Sequence, residues 1–212
     1  KKALEAGSHV YLEKPVSHNV DGVDRLLELQ QNKNCVVQVG CQLRCHPQLV
    51  KIKDWINSGK LGDVHSVVAD VGEYLPQWLP WEDYRKSYAS RKDQGGGVIL
   101  TMIHEIDYLH WIFGPLSVQH ALGGKRTSLE INVEDTVLLT LKSEDEIPIH
   151  LRMDYWRRPP ERTLSIVGDK AQIFWDYHTK ELRIFSKGQL IVEDKLPNDW
   201  DRNILFLEMM RD

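Results

Sequence analysis

The feature that most constrains the fold is a change in hydrophobic pattern near residue 64. From Val64 onward the chain reads as a succession of short strands, which we place at 64–74, 116–123, 135–142, 147–155, 162–168, 170–176 and 181–186. In the strand at 147–155, apolar residues at every second position alternate with His150, Arg152 and Asp154, so this strand buries one face only. The pattern predicts a large, mostly antiparallel sheet with one solvated face, a common platform for dimerisation or for a substrate site.

The first sixty residues have a different, α/β pattern. A strand at about 8–13 is followed by a helix with apolar residues at helical spacing and then by a short apolar run at 35–39 that ends at Gly40. Together these three segments predict a βαβ unit. Pro47 can open a further helix, which Gly59 and Gly62 stop. The predicted class is therefore α+β, with α/β character at the N-terminus.

Composition excludes several classes of function. The formal net charge of −4 gives no electrostatic signature of nucleic-acid binding, and no apolar run approaches the ~20 residues that span a bilayer. The first residues do not have the pattern of a secretory signal, and three cysteines suit reduced thiols, so we expect a cytoplasmic protein. Cys41, Cys45 and His46 lie close together but lack a Cys-x-x-Cys pair and a second ligand pair, so no metal site is predicted.

The segment Glu13-Lys14-Pro15 is the first candidate for chemistry. It follows the predicted strand at 8–13, and ligands bind at the carboxyl ends of strands in open α/β sheets. The alternative is that Lys14 is an ordinary surface lysine next to a proline that ends the strand.

A long loop at 74–92 is the second candidate. It mixes tryptophans and tyrosines with arginines, and such loops commonly bind ligands because Arg85 and Arg91 can grip a carboxylate or a phosphate with two hydrogen bonds. The alternative is a lid that only covers the sheet.

The third candidate is the helix that follows Gly95-Gly96-Gly97 and ends at Gly114-Pro115. Thr101, His104 and Tyr108 are three and four residues apart and are predicted to project together, with Asp107 close to His104. A carboxylate beside an imidazole fixes its tautomer and raises its basicity. A histidine that is satisfied inside the protein is the alternative. The three glycines are not a phosphate loop, because G-x-G-x-x-G occurs nowhere in the chain.

These motifs in this order resemble one family, the Gfo/Idh/MocA oxidoreductases, the group of glucose-fructose oxidoreductase and inositol dehydrogenase. The resemblance rests on residues 3–15, on Gly59-Lys60-Leu61-Gly62, on the three glycines and on His104-Glu105-Ile106-Asp107 with Trp111-Ile112-Phe113-Gly114. It implies the end of a Rossmann domain at 1–45. An α+β domain at 46–212 would follow, in which a large, mostly antiparallel sheet with helices on one face binds substrate and forms a homodimer or homotetramer.

The resemblance also implies an activity. The chain would belong to an oxidoreductase that uses NAD or NADP and acts on a hydroxyl of a sugar, amino sugar or nucleotide-linked sugar. Lys14 and His104 would be catalytic; Glu13, Lys14 and Pro15 would contact the cofactor, and the Lys14-Pro15 bond would be cis. The expected substrate-binding residues are Gln42, Arg44, Tyr84, Arg85, Tyr88, Arg91 and Asp107.

Two departures from the family pattern leave alternatives open. Thr101 stands where many members carry an aspartate, and it cannot hold a charge, so either Asp107 takes over as partner or proton transfer is weakened. The chain also begins after the expected glycine loop, so we expect a fragment that binds a dinucleotide poorly and is inactive by itself. A non-catalytic sugar-binding or oligomerisation module of the same fold, and a redox-neutral lyase or epimerase that uses NAD, are the alternatives.

Overall fold

The computed structural model describes residues 1–211 of the chain. Its N-terminal part contains helix α1 (Lys2–Glu5), strand β1 (Val10–Leu12), helix α2 (Val23–Asn32) and strand β2 (Val37–Val39). β1 and β2 pair in parallel, with Val10 opposite Val37 and Leu12 opposite Val39, so their carboxyl ends lie at the same edge. This is the βαβ unit that the sequence predicts.

The rest of the chain builds one eight-stranded sheet. Its strands are β3 (Val64–Gly72), β4 (Leu116–Gly124), β5 (Thr136–Ser143), β6 (Pro148–Asp154), β7 (Glu161–Gly168), β8 (Gln172–Asp176), β9 (Glu181–Ser186) and β10 (Gln189–Lys195). They lie in the order β10-β9-β8-β7-β3-β6-β5-β4. Every pairing is antiparallel except that of β3 with β6. The predicted large, mostly antiparallel sheet is confirmed.

Four further helices belong to this part of the chain. They are α3 (Pro47–Asn57), α4 (Val98–Thr101), α5 (His104–Phe113) and α6 (Asn203–Met209). The long loop between β3 and α4 contains short 3-10 turns at 75–77, 84–86, 88–90 and 92–94. None of the helices within residues 1–211 combines the length and the apolar character needed to cross a lipid bilayer.

The main core lies on one face of the eight-stranded sheet. Leu49 and Ile52 of α3 and Leu109 of α5 pack into the same buried cluster as inward residues of the sheet such as Leu151 and Ile166. Burial of this apolar surface is what holds the helices to the sheet, at roughly 25 cal/mol per Å² removed from water. The opposite face leaves side chains such as those of Val68, His150 and Phe174 exposed.

Two elements differ from the sequence prediction. β10 is not among the predicted strands, because its apolar run Leu190-Ile191-Val192 lacks two-residue alternation; pairing with β9 defines it as an edge strand. The helix predicted after the three glycines is interrupted. Met102 leaves the helical conformation (φ −102°, ψ 33°), and a new helix begins at His104.

Candidate active site

The candidate site lies where β1 ends. Lys14 is the second residue after β1 and is half-buried, and its peptide bond to Pro15 is cis, as the resemblance implies. Its Nζ donates a hydrogen bond of 2.5 Å to the main-chain carbonyl oxygen of Thr101, which belongs to the last turn of α4. This bond joins the N-terminal βαβ unit to the helices on the large sheet.

Two cavities meet at Lys14. The larger, of about 700 Å³, extends along the carboxyl ends of β1 and β2 and includes Pro15, Cys41, Arg44 and Asp107 among its lining residues. The smaller, of about 290 Å³, is lined by Glu13, Lys14, Gln42, Glu73, Trp78, Tyr88, Thr101, Met102, His104, Arg162, Arg202 and Phe206. Lys14 lines both cavities. The fold therefore brings Lys14 and His104 to one site although they are ninety positions apart in the sequence.

The three glycines let α4 start close to neighbouring backbone. A side chain at Gly96 would come within 2.4 Å of the carbonyl oxygen of Tyr88, and one at Gly97, whose φ is +107°, would collide with the carboxylate of Glu134. That carboxylate accepts a hydrogen bond of 3.2 Å from the backbone nitrogen of Ile99, in the first turn of α4. The glycine run thus positions α4, and with it the carbonyl group that Lys14 contacts.

Thr101 meets Lys14 through its backbone. Its hydroxyl group donates to the carbonyl oxygen of Gly97 at 2.7 Å and shares a short hydrogen bond with the hydroxyl group of Tyr155 on the sheet side. The side chain that replaces the expected aspartate is therefore fully engaged in holding α4. Thr101 offers Lys14 a neutral carbonyl oxygen instead of a charge.

His104, the first residue of α5, is only 5% exposed. Burial, together with the positive charges of Lys14, Arg162 and Arg202, lowers its pKa to about 3, so the imidazole is neutral at physiological pH. Its Nδ1 has no hydrogen-bond partner among the described residues. The pKa of Lys14 is also lowered, first by burial and then by the charges of Arg162 and Arg202, which Glu105 and Glu13 oppose.

The predicted contact between His104 and Asp107 is not formed. Asp107 accepts two hydrogen bonds from the guanidinium group of Arg44, at 2.6 and 2.9 Å, and it also interacts with the thiol of Cys41. Burial and Asp107 raise the pKa of this thiol to about 12. Asp107 and Arg44 line the larger cavity, whereas His104 lines the smaller one, because α5 presents them in different directions. The carboxylate therefore does not set the tautomer of His104.

A buried ion pair at the wall of the smaller cavity was not predicted from the sequence. Nε of Arg162, on β7, donates to the fully buried carboxylate of Glu105 at 2.7 Å, and Glu73 lies 3.8 Å from the same guanidinium group. In the sequence, only one feature indicates this pair: Glu105 and Arg162 are charged residues that each lie in an element with apolar residues. Sequence spacing cannot show that α5 and β7 pack together.

The loop residues separate into two groups. Tyr88 lines the smaller cavity with Lys14. Arg85 and Arg91 instead line a separate open cavity of about 640 Å³, while the Tyr84 hydroxyl group accepts a bond of 3.2 Å from the backbone nitrogen of Glu130. Arg85 is paired with Asp83 and Glu130, and Arg91 with Asp93. The structure does not bring Tyr84, Arg85 or Arg91 to Lys14, and their role in substrate binding stays a prediction.

Trp78, in the long loop, lines the smaller cavity and was not predicted as a site residue. Its indole Nε1 is buried and has no hydrogen-bond partner in the described part of the chain, as for Nδ1 of His104. Two side chains of one small cavity thus carry polar atoms with unused hydrogen-bonding capacity. Such atoms are costly to leave buried without a partner, and here they can hydrogen-bond to a polar ligand in the cavity.

The residues around Lys14 fit the nicotinamide end of a dinucleotide. The larger cavity lies at the carboxyl ends of two parallel strands, where open α/β sheets bind ligands, and Pro15, Val39, Ile103 and Trp111 give it apolar walls suited to a planar ring. Lys14 stands between this cavity and the smaller polar one, where a second molecule could face that ring. Among residues 1–211, no three histidine, cysteine, aspartate or glutamate side chains are grouped so as to hold a metal ion.

Sequence comparisons match both parts of the chain to one family. The model described as "GFO/IDH/MocA C-terminal domain" matches residues 49–174, and the model described as "Oxidoreductase family, NAD-binding Rossmann fold" matches residues 1–41. Among curated relatives, an uncharacterised oxidoreductase of Synechocystis is 28% identical over 166 residues, which are 72% of this chain and 44% of that protein.

Two further proteins are informative. The dTDP-3,4-didehydro-2,6-dideoxy-alpha-D-glucose 3-reductase of Saccharopolyspora spinosa is 30% identical over 152 residues, 71% of this chain and 43% of that protein. The solved structure of an inositol dehydrogenase homologue from Azotobacter vinelandii, complexed with NAD+, superposes with a TM-score of 0.77 at 16% identity and covers 96% of this chain and 55% of that one. The chain spans about half the length of the curated relatives it matches.

Proposed function

Because the chain belongs to the Gfo/Idh/MocA family, we propose that its protein is an NAD(P)-dependent dehydrogenase that acts on a hydroxyl group of a sugar or cyclitol, with Lys14 and His104 as its catalytic residues. The observation that carries the proposal is that Lys14 and His104 line one small polar cavity next to the carboxyl ends of β1 and β2. A sugar-type substrate is in keeping with the S. spinosa reductase and the inositol dehydrogenase homologue.

Each residue has a physical task in this reaction. The neutral imidazole of His104 can accept the proton of the substrate hydroxyl group, and the negative charge that develops on the oxygen raises the basicity of the imidazole. Lys14, held by the carbonyl oxygen of Thr101, can donate a hydrogen bond to the same oxygen and stabilise its charge. A bound nicotinamide nucleotide supplies the acceptor for the hydride. The unpartnered Nε1 of Trp78 can bind another substrate hydroxyl group.

The test is an assay of a panel of sugars and cyclitols with NAD+ and NADP+. Lys14→Ala is expected to lower kcat by about 100-fold or more, the usual contribution of one hydrogen-bond donor that stabilises a developing oxyanion. Lys60→Ala, in the exposed turn after α3, is the matched control and is expected to leave the rate unchanged. Full activity of a folded Lys14→Ala variant would contradict the catalytic assignment. Sugar conversion without net formation of reduced nucleotide would favour a lyase or epimerase.

Thr101 favours a second candidate, a sugar-binding module without chemistry. Its hydroxyl group is engaged with Gly97 and Tyr155 and cannot hold the charge that an aspartate would bring to Lys14. A binding titration combined with a redox assay distinguishes the two candidates. The non-catalytic module would bind a sugar in an equilibrium titration but show no oxidation or reduction with either nucleotide.

We also propose that the exposed face of the eight-stranded sheet binds a second copy of the chain. The helices cover only one face, and the other presents apolar side chains such as those of Val68, Phe174 and Phe185 between polar ones. A sheet face that exposes several large apolar side chains is a candidate surface for association. A homodimer or homotetramer through this face is the expected assembly.

A further inference from the structure

Arg202, just before α6, is an arginine of the smaller cavity without a carboxylate partner among the described residues. Its Nη2 donates to the amide oxygen of Gln42 at 3.2 Å, with the amide oriented so that its nitrogen donates to the carbonyl oxygen of Gly40 at 2.6 Å. The guanidinium group also lies 5.9 Å from the centre of the Phe206 ring. A neutral amide and an aromatic ring hold it in place without cancelling its charge.

The other two cations of this cavity have local compensation. Arg162 is paired with the buried Glu105 and approached by Glu73. Lys14 is stabilised in its charged form by Glu105 and Glu13. Glu105 and Glu73 are thus engaged by Arg162, and the charge of Glu13 acts on Lys14. The charge of Arg202 remains available to a ligand.

Arg202 lines the same cavity as the two candidate catalytic residues, Lys14 and His104. It is close enough for its charge to lower the pKa values of both Lys14 and His104. The cavity volume of about 290 Å³ is just below the usual range for small-molecule sites, so the cavity suits an occupant as small as a monosaccharide. A guanidinium group recognises carboxylate and phosphate groups with two parallel hydrogen bonds, which neutral hydroxyl groups cannot match.

We propose that Arg202, held by Gln42, selects a sugar that carries an anionic substituent, either a carboxylate or a phosphate, and binds that substituent in the smaller cavity. This inference rests on the proposed function, since it names a subclass of the sugars that the same site would take. Gln42 acts as a positioning residue, because it orients Arg202 and is itself buried. Neutral sugars would leave the guanidinium group without an anion and would bind more weakly.

The test compares the affinity of matched sugars by calorimetric titration of the protein in the presence of NADH or NADPH. The pairs are glucose with glucuronate and galactose with galacturonate, and the 6-phosphates of both sugars form a third arm that separates carboxylate from phosphate recognition. The acidic member is expected to bind at least tenfold more tightly. Arg202→Gln is expected to reduce its affinity to that of the neutral sugar while leaving the neutral sugar unaffected.

Arg211→Gln removes an exposed arginine that pairs with Glu208, and it is expected to change nothing. Equal affinity for neutral and acidic members, or an Arg202→Gln variant that keeps the preference, would overturn the inference and leave the proposed function standing. Absence of binding by every one of these sugars would overturn the inference, and the assay of sugars and cyclitols with NAD+ and NADP+ would then decide the proposed function. Circular dichroism of the Arg202→Gln and Arg211→Gln variants is the check that both are folded.

Discussion

Burial decides the charge of single residues in this protein. His104 and His46 are both almost inaccessible to solvent, and in both cases desolvation is the first cause of a lowered pKa, to about 3 and about 4 respectively. Lys14 follows the same rule, and its pKa is lowered first by burial. For a candidate acid–base site, the consequence is a neutral imidazole beside a lysine whose charged form is less favoured than in water.

His46 gives a prediction about stability and pH. An unfolded histidine titrates near 6.5, whereas this one titrates near 4, so the unfolded chain binds more protons between these values and the free energy of unfolding falls as the pH falls. The loss attributable to His46 is expected to reach on the order of 3 kcal/mol at pH 4. Urea unfolding between pH 7 and pH 4 measures it.

The matched variants are His46→Asn and His120→Asn. Asparagine keeps an acceptor for the backbone nitrogen of Gln48 at the start of α3 but cannot be protonated, so His46→Asn is expected to show a weaker pH dependence despite lower overall stability from lost ring packing. His120 is exposed on β4, and its substitution is expected to preserve the wild-type dependence. An unchanged slope in His46→Asn would refute the assignment.

At the scale of elements, α4 and α5 are two helices where the spacing predicted one. The interruption at Met102 turns the carbonyl group of Thr101 toward Lys14 and places His104 at the start of a new helix. A local hydrophobic period cannot reveal such a break, because Val98, Met102 and Leu109 remain buried on both sides of it. The predicted pairing of His104 with Asp107 was wrong for a related reason: Arg44, from another element, binds Asp107.

The ion pair between α5 and β7 gives a prediction at this scale. Glu105→Ala would leave Arg162 buried with only the more distant Glu73 to compensate its charge. Removal of one partner from a buried pair costs about 3–5 kcal/mol, and we expect a loss in that range. Chemical denaturation measures the difference in the free energy of unfolding.

An exposed ion pair provides the comparison. Glu146→Ala removes the partner of Lys142 in the β5–β6 turn, where solvent screens the interaction, and the expected loss is about 1 kcal/mol or less. Similar losses for Glu105→Ala and Glu146→Ala would show that the α5–β7 pair does not carry the stability assigned to it here.

At the scale of the whole molecule, the two faces of one sheet have different surroundings. Its covered face holds α3, α4 and α5, and these helices bring Thr101 and His104 to the end of β1. Its open face lies on the other side, where we propose that a second copy of the chain binds. A substitution on the open face can therefore change assembly without touching the residues around Lys14.

Phe174→Glu tests the proposed assembly. Phe174 lies on the open face of β8, 40% exposed, and a charge there would be buried against the partner in a dimer formed through the sheet. Sedimentation analysis is expected to show a dimer or tetramer for the wild type and a shift toward monomer for Phe174→Glu. Val20→Glu, at a residue 83% exposed in the N-terminal part, is expected to keep the wild-type mass. A monomeric wild type would contradict the proposal.

The sequence by itself determined the elements and the family. Alternation in strands, helical spacing and glycine or proline boundaries are local properties, and they predicted both the βαβ unit and the large sheet. Lys14 and His104 could be named as candidate site residues because their neighbours along the chain form motifs. β10 was not predicted because this edge strand has no strong local pattern and is defined by its pairing with β9.

Only the tertiary structure decided the partners of charged and polar side chains. The bonds of Lys14 to Thr101, of Arg44 to Asp107 and of Arg162 to Glu105 all join residues more than fifty positions apart. The arginines of the long loop were expected at the substrate site, yet Asp83, Glu130 and Asp93 pair with them around a different cavity. Electrostatic partners depend on distance in space and on burial, and a linear sequence contains neither quantity.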